Sequence, residues 1–221
     1  MSTHGDPPKC KSIDIDMICS HLQQYNENIN SLSLSRYLEA YRELNRFLEI
    51  FGKVFYFVTK DIESKINILQ SYIDDESTGA KYTTVQSMIE YEREENLLTN
   101  QDRQSGARTL LRLHRALEFI SLFTGEIARL NENEATGPAA RRSYQKTLAN
   151  YHPWYIRKAA SAAMCALPSK IDMAVRALGQ PKEECDPEVI TQKMLRLSEL
   201  SEISFQITEK LYEDNKLLDL P

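Results

Sequence analysis

GARTLLRLHRALEFISLFTGEIARL, residues 106–130, decides the fold. Leu110, Leu113, Leu117, Ile120 and Phe123 recur at steps of three and four, the period of one face of an α-helix. Polar residues fill 100–105 on one side and 131–137 on the other, so the stretch reads as one long helix between two loops. The same period extends outward in both directions. Ile15, Ile18, Leu22, Tyr25 and Ile29 make a first helix, and residues 31–35 are a serine-rich break with possible N-caps. A long apolar-faced stretch follows over 36–73, in which Gly52 marks a bend or a close helix contact. A helix over 82–98 precedes the central one. Pro138 suits the first turn of the next, which ends near Tyr151 because the residue before Pro153 avoids helical backbone. Short helices over 154–166 and from Pro168 follow. Asp186–Pro187 is an N-cap followed by proline at the first helical position, opening a last helix that carries Ile190, Met194, Leu197, Leu200, Ile203, Ile207 and Leu211. No strand pattern competes, and the expectation is an all-α protein of about eight helices. Residues 1–12 read as a disordered tail, and 13–221 as a single domain.

Composition narrows the function. A chain of 221 residues with formal net charge -5 has no bulk attraction for nucleic acid, so any anion must be held by a local cluster. Four cysteines lack CxxC spacing, which suits a reducing, cytosolic setting. No apolar run approaches the roughly 18 residues of a membrane span. The signatures of hydrolases, zinc proteases, P-loop proteins and dinucleotide-binding enzymes are missing, and the four histidines have no metal-ligand spacing. No enzyme activity, metal or cofactor is expected.

The chemistry-bearing residues are charges on apolar helices. Asp61 and Lys65 lie four apart on one helical face. They are either an ordinary exposed pair or the rim of whatever the Val58–Ile62 face buries. Arg108, Arg112 and Arg115 step by four and three, with no acidic partner at matching spacing for Arg108 or Arg112. Such a face is either solvated or neutralised by an anion, and the arginine fork suits phosphate oxygens. His152, pinned before Pro153, either satisfies a helix end or presents a neutral imidazole to a carbonyl. Trp154 is either core or a residue for the membrane–water interface.

In order along the chain, FYFVTKDIESK (55–65), GARTLLRLHRALEF (106–119), YHPWYIRKAA (151–160), CALPSK (165–170) and KLLDLP (216–221) resemble the glycolipid transfer protein superfamily. The resemblance implies a two-layer helical sandwich enclosing one sphingolipid, with the headgroup at a surface pocket. It places the amide-recognition aspartate on Asp61, which accepts from the ceramide N–H, and the histidine on His152, which donates to the acyl carbonyl. The sugar-binding branch has asparagine where this chain has Lys65 and a stacking tryptophan where it has Arg112. Together with Arg108 these exchanges supply three cations for a phosphate. The implied function is transfer of ceramide 1-phosphate between membranes by a cytosolic monomer that visits the Golgi and plasma membrane. Docking falls to Trp154, Arg157 and Lys158. The expected apolar pocket takes Phe47, Phe51, Phe55, Val58, Leu111, Leu122 and Met164 from the helical stripes. A lipid-sensing adaptor that signals to a protein partner is the alternative reading.

Overall fold

A computed structural model describes residues 13–50 and 52–221 of the chain; the expected tail over 1–12 and the pocket assignment at Phe51 lie outside the described residues. The described residues form nine α-helices and no strand. These are α1 (Ile15–Asn26), α2 (Leu34–Glu49), α3 (Tyr56–Ile73), α4 (Val85–Glu94), α5 (Gly106–Arg129), α6 (Gly137–Lys146), α7 (Trp154–Cys165), α8 (Lys170–Leu178) and α9 (Pro187–Asp214). Short 3-10 turns occupy Gly52–Phe55, Gly79–Tyr82, Leu148–Tyr151 and Lys182–Glu184. The extra helix relative to the sequence expectation comes from the 36–73 stretch, which divides into α2 and α3. Gly52 adopts φ +69° there, a left-handed conformation that ends the helical run and that glycine reaches without steric cost. The 82–98 helix is also shorter than its pattern. Thr84 and Ser87 close a capping box at its start, and Asn96 turns to φ +56° just beyond its end.

Helix α5 is the organising element. It packs most extensively on α9 and also touches α3, α4 and α6. Its N-terminus is held by two groups. Ser105 caps it by accepting from Arg108 N at 3.0 Å. The fully buried Glu92 carboxylate accepts from Gly106 N at 2.6 Å, Ala107 N at 3.1 Å, Ser105 Oγ at 2.5 Å and Tyr82 Oη at 3.0 Å. A carboxylate at this end satisfies orphan backbone donors and meets the positive end of the helix dipole. Gly106 permits this approach, because a Cβ there would come within 2.9 Å of Met88 Sδ and 3.0 Å of Glu92 Oε1.

Two apolar clusters flank α5. One joins Ile18, Leu22, Leu44, Phe123, Ile127, Met164, Ile171 and Met194. The other is rich in tyrosine: Tyr25, Tyr37, Tyr41, Tyr82 and Tyr212 are fully buried with Leu69, Leu110, Leu113 and Leu117. Most of these hydroxyls are used. Tyr25 Oη pairs with Thr208 Oγ1 at 2.7 Å, Tyr212 Oη donates to Ala107 O at 2.8 Å, and Tyr41 Oη donates to Leu113 O. His114, in the middle of the basic face in sequence, is buried. It stacks on Phe205 and bonds Glu209 across the α5–α9 seam at 2.6 Å, so it is a structural residue. Burial pushes its pKa below the ordinary histidine value.

Candidate functional site

The buried stripe of α3 is Thr59, Ile62, Ile66 and Leu69, and it packs in the tyrosine-rich cluster against Ala107, Leu110, Leu111 and Leu117 of α5. Asp61 and Lys65 immediately precede Ile62 and Ile66. Arg108 and Arg112 immediately follow Ala107 and Leu111. Both charged pairs therefore border one apolar α3–α5 seam. Lys65 Nζ bonds Asp61 Oδ1, and the Lys65 side chain is only 12% exposed while that of Asp61 is open to solvent. This differs from an ordinary exposed i,i+4 pair: the lysine stem is covered and its ammonium orients the carboxylate.

His152 stands beside this pair. The 3-10 turn Leu148–Tyr151 carries it, and its extended backbone (φ -107°, ψ 135°) is what the following Pro153 demands. Burial lowers its pKa, Asp61 partly opposes that, and Lys65 adds to it, which favours the neutral imidazole. Its Nδ1 lies 2.8 Å from Tyr144 Oη. The neighbouring Tyr151 ring receives the Arg115 guanidinium at 4.1 Å from its centroid. That contact brings the basic face of α5 to the histidine turn.

The arginines are not simply solvated. Arg115 donates to Leu218 O at 2.7 Å and Arg112 to Pro221 O at 3.2 Å. These backbone oxygens accept from the guanidiniums and ease the like-charge repulsion along α5. Arg108 is half-buried, and no hydrogen bond or ion pair reaches its guanidinium among the described residues. Lys65 and Asp61 of α3, Arg108, Arg112 and Arg115 of α5, and His152 are thus the charged and polar groups that border the seam and the histidine turn. Sequence reading placed Arg115 on this face without giving it a role. It missed Tyr144 and the 218–221 backbone altogether, because their partners are 8 and more than 100 residues away.

The assigned pocket residues scatter. Phe47 and Met164 belong to the first cluster, Leu111 is buried in the tyrosine-rich one, and Phe55 and Leu122 are half-buried. Val58 is 43% exposed. Val58 lies one position off the buried α3 stripe, and Leu111 packs within the tyrosine-rich cluster. Next to His152, the half-buried Leu148, Ala149 and Ala160 join Phe47, Ile50 and Phe119 against the first cluster.

Around the site the surface is apolar and basic. Phe57 is 84% exposed and Trp154 63%, with Tyr56, Tyr151 and Tyr155 also out in solvent. Lys158 Nζ lies 5.1 Å from the Trp154 ring centroid, and Arg157 is exposed beside it. No helix of the described residues is long and apolar enough to cross a membrane, and no group of metal-binding side chains occurs among them.

A family model described as Glycolipid transfer protein (GLTP) matches residues 32–179, and the chain belongs to that family. Its fold is the family's two-layer helical sandwich. Within the family the chain is similar to a ceramide-1-phosphate transfer protein of Danio rerio, 40% identical over 190 residues, which are 84% of this chain and 87% of the relative. The crystal structure of the mouse ceramide-1-phosphate transfer protein in its apo form superposes with a TM-score of 0.85 at 31% identity, covering 95% of this chain and 100% of that one. The human ceramide-1-phosphate transfer protein in complex with 2:0 ceramide-1-phosphate gives 0.83 at 28%, covering 96% and 100%.

Proposed function

We propose that this protein carries ceramide 1-phosphate between membranes as a monomer, using residues 13–221 as one transfer domain. The reading is supported by His152 standing within electrostatic reach of the Asp61–Lys65 pair and by Arg115 lying on the adjacent Tyr151 ring, with Arg108 and Arg112 on the same face of α5. A phosphate monoester brings a charge of about -1.5 to -2. Lys65, Arg108, Arg112 and Arg115 with Asp61 sum to +3, so a bound phosphate offsets most of the charge gathered there. Asp61, oriented by Lys65, accepts from the ceramide N–H. His152, neutral and fixed in direction, donates to the acyl carbonyl. The names of the relatives, and the ligand in the human complex, point to the same lipid.

The hydrocarbon chains enter beneath the histidine turn, where Phe47, Ile50, Phe119, Leu148, Ala149 and Ala160 are half-buried against the first cluster. Each buried CH₂ contributes about 0.8 kcal/mol, so a rigid preformed tunnel would hold two chains too tightly for release. A collapsible space opened by the lipid balances capture and delivery. Trp154, Arg157 and Lys158 dock the protein on the cytosolic faces of membranes such as Golgi and plasma membrane. Neither cofactor nor energy source is needed, and net flux follows the gradient.

Transfer between vesicles of fluorescent ceramide 1-phosphate, compared with galactosylceramide of the same chains, tests the reading. The phosphorylated lipid is expected to move and the sugar lipid to move at least tenfold more slowly, because a sugar cannot use the cations and finds no indole to stack on. Comparable rates for the two, or no movement of the phosphorylated lipid, would overturn the assignment.

A further inference from the structure

Tyr144 has no role in the reading above, yet it is the one hydrogen-bond partner of the His152 ring among the described residues. It sits in the last turns of α6, just past the buried Ser143, and its side chain is almost wholly covered. Thr147, one turn on, holds that helix end: its N–H donates to Tyr144 O and its hydroxyl to Ser143 O. The tyrosine is therefore placed by the fold, and the histidine adjusts to it.

The direction of the bond follows from what each partner would otherwise lack. A neutral imidazole carries its proton on one nitrogen and accepts on the other. If Nδ1 carried the proton and donated to Tyr144 Oη, the tyrosine hydrogen would face no acceptor among the described residues. An almost covered hydroxyl without a partner is costly. If the tyrosine hydroxyl donates to Nδ1, both groups are satisfied, and the proton stays on Nε2. We propose that Tyr144 is the positioning residue of this site, donating to His152 Nδ1 so that Nε2–H is the one free donor of the ring. This rests on the carrier reading in one respect: that the acceptor awaiting Nε2–H is the lipid's acyl carbonyl.

The surroundings agree with this direction. Desolvation raises the Tyr144 pKa and keeps the phenol protonated, while Arg157 pulls the other way by a smaller amount. Desolvation likewise keeps His152 neutral against Asp61, with Lys65 assisting. The charged groups facing the pair are thus Asp61 and Lys65 from α3 and Arg157 from α7, with Arg115 of α5 on the adjacent Tyr151 ring. The rings stand 5.7 Å apart at 37°, tilted rather than stacked, so the hydroxyl meets the edge nitrogen and the ring plane is fixed.

Nitrogen-15 NMR of the histidine side chains in the ligand-free protein at pH 7.5 reads the tautomer directly, with His152→Gln assigning the signal. The expected spectrum has protonated Nε2 and an unprotonated Nδ1 carrying the signature of a hydrogen-bond acceptor. In Tyr144→Phe that signature is lost, and ceramide 1-phosphate binding weakens about two- to tenfold, the size of one hydrogen bond. A protonated Nδ1 in the wild type would overturn the proposal. So would a Tyr144→Phe protein with the wild-type spectrum and affinity. If that variant does not fold, the wild-type spectrum alone decides. Failure of the wild-type protein to bind ceramide 1-phosphate, with the Nε2–H tautomer present, would remove the proposed ligand and leave the tyrosine's hold on the imidazole standing.

Discussion

Arg112→Leu is expected to lower ceramide 1-phosphate transfer at least tenfold while leaving the protein folded, and Lys65→Ala to do the same. Arg112 is exposed on α5, and its single bond runs to the Pro221 backbone oxygen. Its removal leaves no buried group unpaired and opens no cavity. What it takes away is a charge-assisted contact to the incoming phosphate, of about 1.5–3 kcal/mol, which corresponds to about 10- to 100-fold in affinity. Lys65 acts twice, as a cation and as the group that orients Asp61. Its loss is expected to weaken recognition of the amide as well as of the phosphate. Vesicle transfer rates together with circular dichroism check both variants. Wild-type rates in either, or a collapse of helicity that accounts for the loss, would count against the assigned roles.

Glu92→Ala is expected to produce the largest loss of stability, about 3–5 kcal/mol. The carboxylate is fully buried and accepts from Ser105 Oγ, Gly106 N, Ala107 N and Tyr82 Oη. Alanine leaves all four donors without their acceptor at the N-terminus of the central helix, and each buried orphan costs about 1–3 kcal/mol before solvent re-enters. For a protein of this size a loss of that order lowers the melting temperature by about 10 °C. Glu92→Gln, which keeps one acceptor oxygen, should lose less. Denaturant titration with the slope held as a check on two-state behaviour measures both. A shift below about 1 kcal/mol for Glu92→Ala would mean that Ser105 alone holds this helix start. Transfer would fall only as far as the fraction folded falls, which separates this residue from Lys65 and Arg112.

The two sets of residues also show what a sequence can and cannot carry. The leucine period over 106–130 fixed α5 to within a residue, because helix periodicity and flanking polar runs are local properties. Asp186 and Pro187 announced the start of α9 for the same reason. At the α2–α3 break only the glycine was legible, as a bend or a close contact, and not the division into two helices. The stripe continues across Gly52, and nothing local says that this glycine takes positive φ rather than staying helical. The Glu92 cap was hidden, since its donors lie 13 to 15 residues away along most of its bonds and appear only when α4 folds onto α5.

At the site the division is similar. Asp61, Lys65, Arg108, Arg112 and His152 were legible as unusual charges on apolar helices, and the family resemblance gave each a role. Their surroundings were not. Arg115 acquires meaning from the Tyr151 ring and the Leu218 oxygen, and Tyr144 from an imidazole across a turn. Val58 and Leu111 were assigned to the pocket from apolarity alone. That property does not say which side of a helix meets solvent and which meets a second core.

The central claim is that cations at the end of the α3–α5 seam bind a phosphate. Equilibrium binding of ceramide 1-phosphate against unphosphorylated ceramide with identical chains tests it most directly, since everything except the phosphate is held constant. The account predicts at least a tenfold preference for the phosphorylated lipid, narrowing in Arg112→Leu. Equal affinities in the wild-type protein would contradict it.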